Sequence, residues 1–464
     1  MLSSIRTKLY LTIVGVTIPA LILVGVLSYL GGRAAVEKAT LEHLTSVRAD
    51  KATQIESYFD QIRAQARTLA RNLMVTEALI EFDAAYEALE TAELTTDQRQ
   101  AVLGHYEDEF LPRLEGHTDE PIDAASLLPA ASSELYLQYN YIAANPHPVG
   151  EKRGLDDADD GSVYSAVHNR IHPILRDFAD EFGFYDLILI SGSGKVVYTV
   201  EKEVDLGTDL VDGPYRDSNL AAVFLQARRD VADHRVRLVD FAQYVPSLGE
   251  PAAFVAAPIV DNAQLLGVLV LQIPIGEIDR VMTDDRQWRQ QGLGETGETY
   301  LVGQDRRLRS NSRFFLEDPE SYFSRLEAAG VAASDLRRIR CFGTSILLQE
   351  VDSPAVREAL EGATATSITI DSQPCVLSPK AIGHCEATSK ANAIRASNIG
   401  RWGYLLRSNM IFVSESASLK TFANLSKQRV TRIHTVPLRH SDATMLLPQI
   451  LSPATIVPLR RPRR

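Results

Sequence analysis

The segment Ala252–Pro274, AAFVAAPIVDNAQLLGVLVLQIP, decides the fold of this chain. Two apolar runs rich in Val, Ile and Leu lie on either side of Asp261-Asn262, and such runs favour β-strands. Asp and Asn tolerate the left-handed backbone that a tight turn requires. The segment therefore predicts an antiparallel β-hairpin.

Three further strands are predicted upstream of this hairpin. DLILIS (Asp186–Ser191) and KVVYTV (Lys195–Val200) are joined by Gly-Ser-Gly and predict a second hairpin, and RVRLVDF (Arg235–Phe241) predicts a fifth strand. A helical pattern, SNLAAVFLQARRDV, separates the first two strands from the last three. Five antiparallel strands with helices on one face form an α+β layer, which is the fold class that we expect.

A weaker copy of the same pattern follows. GETYLVG (Gly297–Gly303) and Arg307–Ser310 predict a hairpin, and a helical interval comes after it. TSILLQE (Thr344–Glu350) and TSITIDSQPCVLS (Thr366–Ser378) predict more strands. The repeated order predicts two antiparallel sheet domains in tandem.

The N-terminal segment Leu9–Leu30 contains 22 residues without a charge. At 1.5 Å per residue such a helix crosses a bilayer core of roughly 30 Å. Arg6 and Lys8 precede the span, so the positive-inside rule places the N-terminus in the cytoplasm and the following residues outside it. A cleaved signal peptide is the alternative, although its apolar region has only about 7–15 residues. We expect residues 1–33 to form the cytoplasmic N-terminus and a single transmembrane anchor, with residues 9–30 in contact with lipid.

An apolar stripe continues beyond this anchor. Its residues are spaced by three and four positions: Ile55, Phe59, Ile62, Ala66, Leu69 and Leu73. This spacing predicts an amphipathic helix, and the scarcity of helix breakers extends it from Ala34 to about Leu94. We expect a helical stalk over residues 34–110 in which the turns near the membrane pair with a second copy of the chain and the distal turns pack on their own domain. Pairing across the stripe is expected at Ile55 and Phe59. The two simpler alternatives are a helix that only packs on its own domain and a stalk that only pairs.

Charge divides the chain into three regions. Over all 464 residues the net charge is −12, which argues against nucleic acid as a partner. Residues 381–464, however, carry 13 Lys+Arg against three Asp+Glu, while residues 34–380 carry 32 against 57. Either a reading-frame shift near Lys380 or a genuine basic tail explains this change. We favour the frameshift and expect the tail, residues 381–464, to be disordered or poorly packed.

The motifs that could carry chemistry are weak. SGSGK (Ser191–Lys195) lacks the following Ser or Thr and helix of a phosphate-binding loop, so it predicts a hairpin turn. His168 and His172 have metal-binding spacing but no third ligand nearby, and we interpret them as part of a polar helical face. DDADDG (Asp156–Gly161) has Ala158 where a calcium loop needs an oxygen ligand. Three cysteines exclude a disulfide framework and a four-cysteine zinc site. We expect no catalytic residues, no metal and no cofactor.

Three segments together resemble the double Cache sensory regions of bacterial membrane receptors. They are LQYNYIAANPHPVGEK (Leu137–Lys152), YDLILISGSGKVVYTVEKEVDLGTDLVDGPYRDSNLA (Tyr185–Ala221) and GLGETGETYLVGQDRRLRSNSRF (Gly292–Phe314). The resemblance covers about residues 1–380. It implies two PAS-like sheets outside the inner membrane, a small-molecule ligand in the distal one, and a non-enzymatic sensory role. Such regions precede HAMP linkers and chemotaxis, nucleotide cyclase or histidine kinase outputs. A membrane-bound cyclase or kinase whose catalytic domain lies downstream is the alternative function.

The resemblance also sets the expected domain boundaries. They are 111–285 for the membrane-distal domain and 286–380 for the membrane-proximal one. In related receptors a closing strand and a second transmembrane helix follow the position of Lys380, where this chain has AIGHCEATSKANAIRASN. We therefore expect the membrane-proximal domain to be incomplete.

Residues able to bind a ligand cluster around the first predicted sheet. We select six of them as candidate ligand-binding residues: Tyr164, His168, Arg176, Tyr198, Asp240 and Tyr244. An Asp near aromatic rings suits an ammonium group, whereas Arg or His with Tyr suits a carboxylate. The Arg-x-Trp-Tyr motif of many amino-acid-binding Cache domains is missing, which argues against an amino-acid ligand.

Overall fold

The computed structural model describes residues 5–115, 123–229, 234–295, 297–360, 365–371, 387–395 and 411–417. Within these ranges the α-helices are α1 (Ile5–Ala70), α2 (Leu73–Ala88), α3 (Thr96–Gly104), α4 (Leu111–Glu115), α5 (Ala124–Leu127), α6 (Ser132–Gln138), α7 (Val163–Phe182), α8 (Asn219–Arg229), α9 (Ile275–Thr283), α10 (Arg313–Glu317), α11 (Pro319–Ala328), α12 (Ala333–Phe342) and α13 (Pro354–Leu360). Two π-helical turns, His105–Phe110 and Tyr139–Ala143, continue α3 and α6.

The first sheet has the five predicted strands. They are β1 (Asp186–Ser191), β2 (Val196–Thr199), β3 (Arg237–Tyr244), β4 (Glu250–Asp261) and β5 (Gln264–Ile273). All neighbours are antiparallel, in the order β2-β1-β5-β4-β3, and α8 lies between β2 and β3 in the chain as predicted. The predicted α+β fold class is therefore confirmed.

Two turns set the register of this sheet. Between β4 and β5, Asn262 and Ala263 have φ values of 47° and 64°, the left-handed pair of a two-residue hairpin turn. Between β1 and β2, Gly194 has φ 114°, and a Cβ there would lie 2.7 Å from Cγ2 of Val211. SGSGK is thus a hairpin turn, as predicted, because the following residues form β2 and not a helix.

Alternate residues of β1 face two separate cores. Leu187 and Leu189 pack with α1, α2 and α7 on the first face of the sheet. Ile188 and Ile190 pack on the second face with α8 and with Tyr106 and Phe110 of the first π-helical turn. Since strand side chains alternate, covering both faces makes every residue of β1 buried. Each face has its own polar cluster, described below.

The N-terminal helix ends earlier than predicted. The helix α1 runs for 66 residues and includes Pro19, but it stops at Ala70. The side chain of Asn72 then accepts a hydrogen bond of 2.9 Å from the Met74 N–H and caps α2. The prediction of one helix to about Leu94 was therefore wrong, and Leu73 is exposed at the start of α2.

The apolar stripe of α1 packs on its own chain. Ile55, Phe59 and Ile62 are at most 4% exposed and share one core with β4 and β5. Ile55 and Phe59 are thus unavailable to a second copy, contrary to the predicted pairing there, whereas packing of the distal turns on their own domain was also predicted. Nearer the membrane end, Nζ of Lys51 donates to the Val281 carbonyl at 2.6 Å, and His43 Nε2 lies 2.7 Å from the Gln291 carbonyl. These contacts attach α1 to the last turn of α9 and to the segment that follows it.

The start of α1 has the length and composition of a membrane span. An 18-residue window has a mean hydropathy of 2.3, and none of it is buried by the rest of the chain. Apolar side chains from Leu9 to Leu30 face outward. A signal sequence has the same properties, so the structure alone leaves both alternatives of the sequence analysis in place.

A second antiparallel sheet follows the first. Its strands are β6 (Glu298–Val302), β7 (Ala365–Asp371), β8 (Ala387–Arg395) and β9 (Ile411–Ala417), in the order β6-β9-β8-β7. We expected no strand after Lys380, whereas the backbone of β8 and β9 pairs there across 387–395 and 411–417. The second sheet is thus completed by residues beyond the expected boundary at 380.

Two other strands predicted for this part of the chain do not form. Thr344–Glu350 forms turns with one isolated bridge from Glu350 to Arg307, not a strand. Arg307–Ser310 also forms no strand and contributes two isolated bridges, from Leu308 to Val302 and from Arg307 to Glu350. Most of 381–464 lies outside the described residues, so the predicted frameshift and disorder there stay predictions.

Candidate ligand-binding site

The structure separates the six predicted ligand-binding residues into three places. Four of them lie on the first face of the sheet: Tyr164, His168, Arg176 and Tyr198. Tyr244 is buried on the second face, and Asp240 lies at the contact between the first sheet and the residues that follow β6.

The first-face residues form a closed aromatic cluster. The rings of His168 and His172 stack with centroids 4.4 Å apart, and Tyr198 contacts both. The Tyr164 hydroxyl donates to the Val197 carbonyl at 2.8 Å, and Arg176 donates to Asp156 at 2.7 Å. Both histidines are fully buried, so their interpretation as a polar helical face was wrong. Burial lowers the pKa of His172 to about 3 and that of His168 well below its ordinary value.

Asp240 is held by a single arginine. Nε and Nη2 of Arg309 donate to its two carboxylate oxygens at 3.0 and 3.1 Å. Arg309 is 4% exposed and also donates to Asp305. A bidentate pair of this kind fixes both side chains. Asp240 therefore connects β3 to the segment after β6 in this structure.

Two carboxyl groups that we did not predict lie on the second face. The Tyr244 hydroxyl donates to Asp205 Oδ2 at 2.6 Å, while Tyr185 and Ser247 donate to the two oxygens of Glu203 at 2.8 and 2.6 Å. We call these five residues the acid–tyrosine site. Burial raises the pKa of both carboxyl groups, and repulsion from Asp205 raises the pKa of Glu203 further.

In the described part of the chain, no Lys, Arg or His forms an ion pair with Glu203 or with Asp205. Asp205 Oδ1 is buried and has no partner with hydrogen-bond geometry, although the Asp205 and Leu206 N–H groups lie close enough to the carboxyl group to lower its pKa. Buried polar atoms in folded proteins are nearly always paired, so this oxygen is a candidate contact for a bound molecule.

Side chains from the helices before α7 close the site from the other side. The Tyr106 hydroxyl donates to Gln138 Oε1 at 2.8 Å, and Gln138 Nε2 donates to the Val204 carbonyl at 2.8 Å. Tyr215 is buried beside them, and its hydroxyl has no partner with hydrogen-bond geometry within the described chain. Three tyrosines, Tyr106, Tyr215 and Tyr244, thus lie with the Asp205 carboxylate in the apolar core on the second face of the sheet.

A cleft of about 150 Å³ opens over Glu203. Its lining carries both signs of charge, from His105, Arg113, Lys152, Glu201, Lys202, Glu203 and Glu250. Pro246, Ser247 and Leu248 of the β3–β4 connection also line it. Such a cleft suits a small polar molecule with a cationic group directed toward Glu203.

The connecting segment Glu201–Asp205, EKEVD, supplies residues to both faces. Lys202 turns into the first-face cluster, whereas Glu203 and Asp205 turn into the acid–tyrosine site. The sequence signal was four charged residues directly after the strand sequence KVVYTV (Lys195–Val200). We overlooked it because runs of charge are usually solvated.

Comparisons with known proteins give structural matches only. No family model and no curated protein matches the chain. The sensory domain of the Campylobacter jejuni chemoreceptor Tlp3 is similar at 10% identity and a TM-score of 0.37, with 83% of this chain and 96% of that chain covered. The sensor domain of the V. cholerae histidine kinase DctB is similar at 15% identity and a TM-score of 0.31, with coverage of 69% and 99%.

A third match is the ligand-binding domain of the Pseudomonas aeruginosa PAO1 chemoreceptor PctC in complex with GABA. Its identity is 11%, its TM-score 0.28, and the match covers 50% of this chain and 74% of that chain. All three are sensory domains of bacterial receptors, the class that the sequence resembles.

Proposed function

We propose that this chain is the extracytoplasmic sensory region of a single-pass bacterial inner-membrane receptor, and that it binds a small cationic molecule without converting it. The observation that carries the proposal is the pair Glu203, which lines the cleft, and Asp205, which is buried two residues further along the chain; both have hydroxyl partners but no ion-pair partner in the described chain.

The physical reason is that a cationic ligand would neutralise the charge of these two carboxylates. A carboxylate that is buried without a counter-ion is costly, and proteins avoid this by raising its pKa or by pairing it. A ligand ammonium group would supply the missing charge and could donate to Asp205 Oδ1. The faces of Tyr106, Tyr215 and Tyr244 would add attraction for a cation.

Transmission to the membrane is proposed through α1. Its buried stripe shares a core with β4 and β5, and Lys51 binds the end of α9. Because packed elements move as units, a ligand that shifts the sheet would displace this helix relative to the bilayer. We propose that the exposed turns of α1 between the membrane and Lys51 pair with a second copy, so that the receptor is a homodimer.

Binding by the full chain in lipid nanodiscs tests the ligand class. A panel of small primary amines, dicarboxylates and neutral sugars would be measured by calorimetry. We expect affinity for at least one amine, and a loss of 10-fold or more, about 1.4 kcal/mol, in Asp205→Asn and Glu203→Gln. Glu77→Gln, on the exposed face of α2, is the matched control and should leave affinity unchanged.

Two outcomes would contradict the proposal. One is binding of dicarboxylates but of no amine. The other is amine binding that survives both carboxyl substitutions, which would place the ligand elsewhere in the chain.

A further inference from the structure

Lys202 lies in the segment Glu201–Asp205, which supplies side chains to both faces of the first sheet. It is 1% exposed, and its Nζ lies 2.9 Å from His172 Nε2 and 3.3 Å from the Val200 carbonyl. Its backbone has φ 58°, a conformation that a side chain with a Cβ adopts only at a cost. Its N–H donates to Thr199 Oγ1 at 2.8 Å.

The partners of His172 define where its proton lies. Nε2 is 2.8 Å from the Arg153 carbonyl, which only accepts hydrogen bonds, so Nε2 carries the hydrogen. Nδ1 then accepts from the Tyr198 hydroxyl at 2.7 Å. This assignment satisfies both ring nitrogens with a neutral imidazole.

The same geometry determines the charge of Lys202. An ammonium group has three donors and no acceptor, so it cannot bind an Nε2 that already carries a hydrogen. A neutral amine has a lone pair that can share this N–H with the Arg153 carbonyl in a three-centre hydrogen bond, while one of its own hydrogens points to Val200. The observed contact therefore fits Lys202 in its uncharged form.

We propose that the Lys202–His172 contact is a second input site of the receptor, at which a proton from solvent is the ligand. When Nζ gains a proton it loses its acceptor lone pair, the contact with His172 breaks, and the segment Glu201–Asp205 shifts. Because that segment also holds Glu203 and Asp205, the shift would disturb the acid–tyrosine site. The effect on ligand binding rests on the proposed function, whereas the proton-driven shift does not.

The titratable groups around Lys202 include both acids and bases. Asp186 on β1, Glu201 and Asp156 face it as acids, and Arg176 and His168 on α7 face it as bases. Arg176 and Arg153 also face His172. Burial is the largest influence and lowers the pKa of Lys202 to about 7, which puts its titration within the range of ordinary environments.

Several hydrogen bonds connect the residues next to Lys202 to one another and to their neighbours, so these residues should rearrange together. Asp186 Oδ1 accepts from the Val200 and Glu201 N–H groups at 2.8 and 3.2 Å, and Arg153 donates to Glu201 at 2.8 Å. Rearrangement at Lys202 should therefore weaken the protection of several neighbouring amides together.

Hydrogen–deuterium exchange of the full chain in nanodiscs tests the proposal without any added ligand. Exchange in the peptide that covers 196–210, corrected for intrinsic rates, would be compared at about pH 6 and about pH 8.5, on either side of the expected titration. We expect protection at the lower pH to fall several-fold in the native chain and to be independent of pH in Lys202→Met. Lys195→Met, at the other end of β2, is the matched control and should keep the response.

Further variants keep the test decisive. His172→Gln should also abolish the response, so the proposal stays testable if Lys202→Met does not fold. Glu203→Gln with Asp205→Asn should retain the response, because those carboxyl groups are not the sensors. Equal responses in the native chain, Lys202→Met and His172→Gln would overturn the proposal, as would a native chain without any response. Failure of amine binding alone would leave it intact.

Discussion

At the scale of single residues, the two faces of the first sheet differ in how their buried polar groups are satisfied. On the first face, His168 and His172 have carbonyl and hydroxyl partners for three of their four ring nitrogens. On the second face, Asp205 and Glu203 have hydroxyl donors but no ion-pair partner within the described chain. The first arrangement fits a structural cluster with one titratable lysine, and the second fits a binding site.

The buried His172 should make the stability of the chain depend on pH. Burial lowers its pKa to about 3, so between its ordinary pKa of about 6.5 and that value the unfolded chain binds a proton that the folded chain does not. Stability must therefore fall as the pH falls through this window, by up to about 1.4 kcal/mol per unit.

The substitution His172→Gln removes this contribution of His172 to the pH dependence of stability. Relative to the native chain, its free energy of unfolding should rise by about 2 kcal/mol between pH 6 and pH 4.5. Urea unfolding followed by tryptophan fluorescence measures this difference. Parallel pH profiles for the two proteins would show that His172 is charged in the folded state.

At the scale of elements, the break between α1 and α2 depends on one cap. Asn72 holds the Met74 N–H, and α2 turns from there onto the first sheet, where Phe82 packs against Tyr164 and Tyr198. Asn72→Ala should cost about 1 kcal/mol of stability, and Asn72→Asp, which keeps an acceptor, should cost much less. Urea midpoints of the two variants provide the measurement, and equal midpoints would mean that the cap contributes nothing.

Helices and strands were more predictable from the sequence than the surfaces against which they pack. The five strands of the first sheet were predictable because apolar runs and turn residues are local signals. The stripe from Ile55 to Leu69 was also correctly identified as apolar, but periodicity does not say which surface covers it. Leu73 continued the spacing across the break and concealed the cap at Asn72. Glu203 and Asp205 were missed because their burial depends on α3, α6 and the β3–β4 connection, which lie far away in the chain.

At the scale of the whole molecule, polar contacts connect the first sheet to the residues that follow it and to α1. Arg309 binds Asp240, and Asn311 donates to both oxygens of Asp279 on α9 at 2.7 Å. Lys51 binds the carbonyl end of the same helix, where a cation is favoured by the helix dipole. The helix α9 is thus held both by α1 and by the segment after β6, so a movement of the first sheet would reach the membrane helix through it.

This arrangement separates two regions of α1 that a crosslinking experiment can distinguish. Ile55 and Phe59 are buried in their own domain, whereas Val36 is 59% exposed close to the membrane span. With the three native cysteines replaced by Ser, Val36→Cys should therefore crosslink between copies in cells, and Ile55→Cys and Phe59→Cys should not. A membrane-impermeant bis-maleimide added outside the inner membrane should be sufficient. Crosslinking by a permeant reagent only would reverse the proposed topology, and crosslinking through Ile55 would mean that the stripe leaves its domain to join a partner.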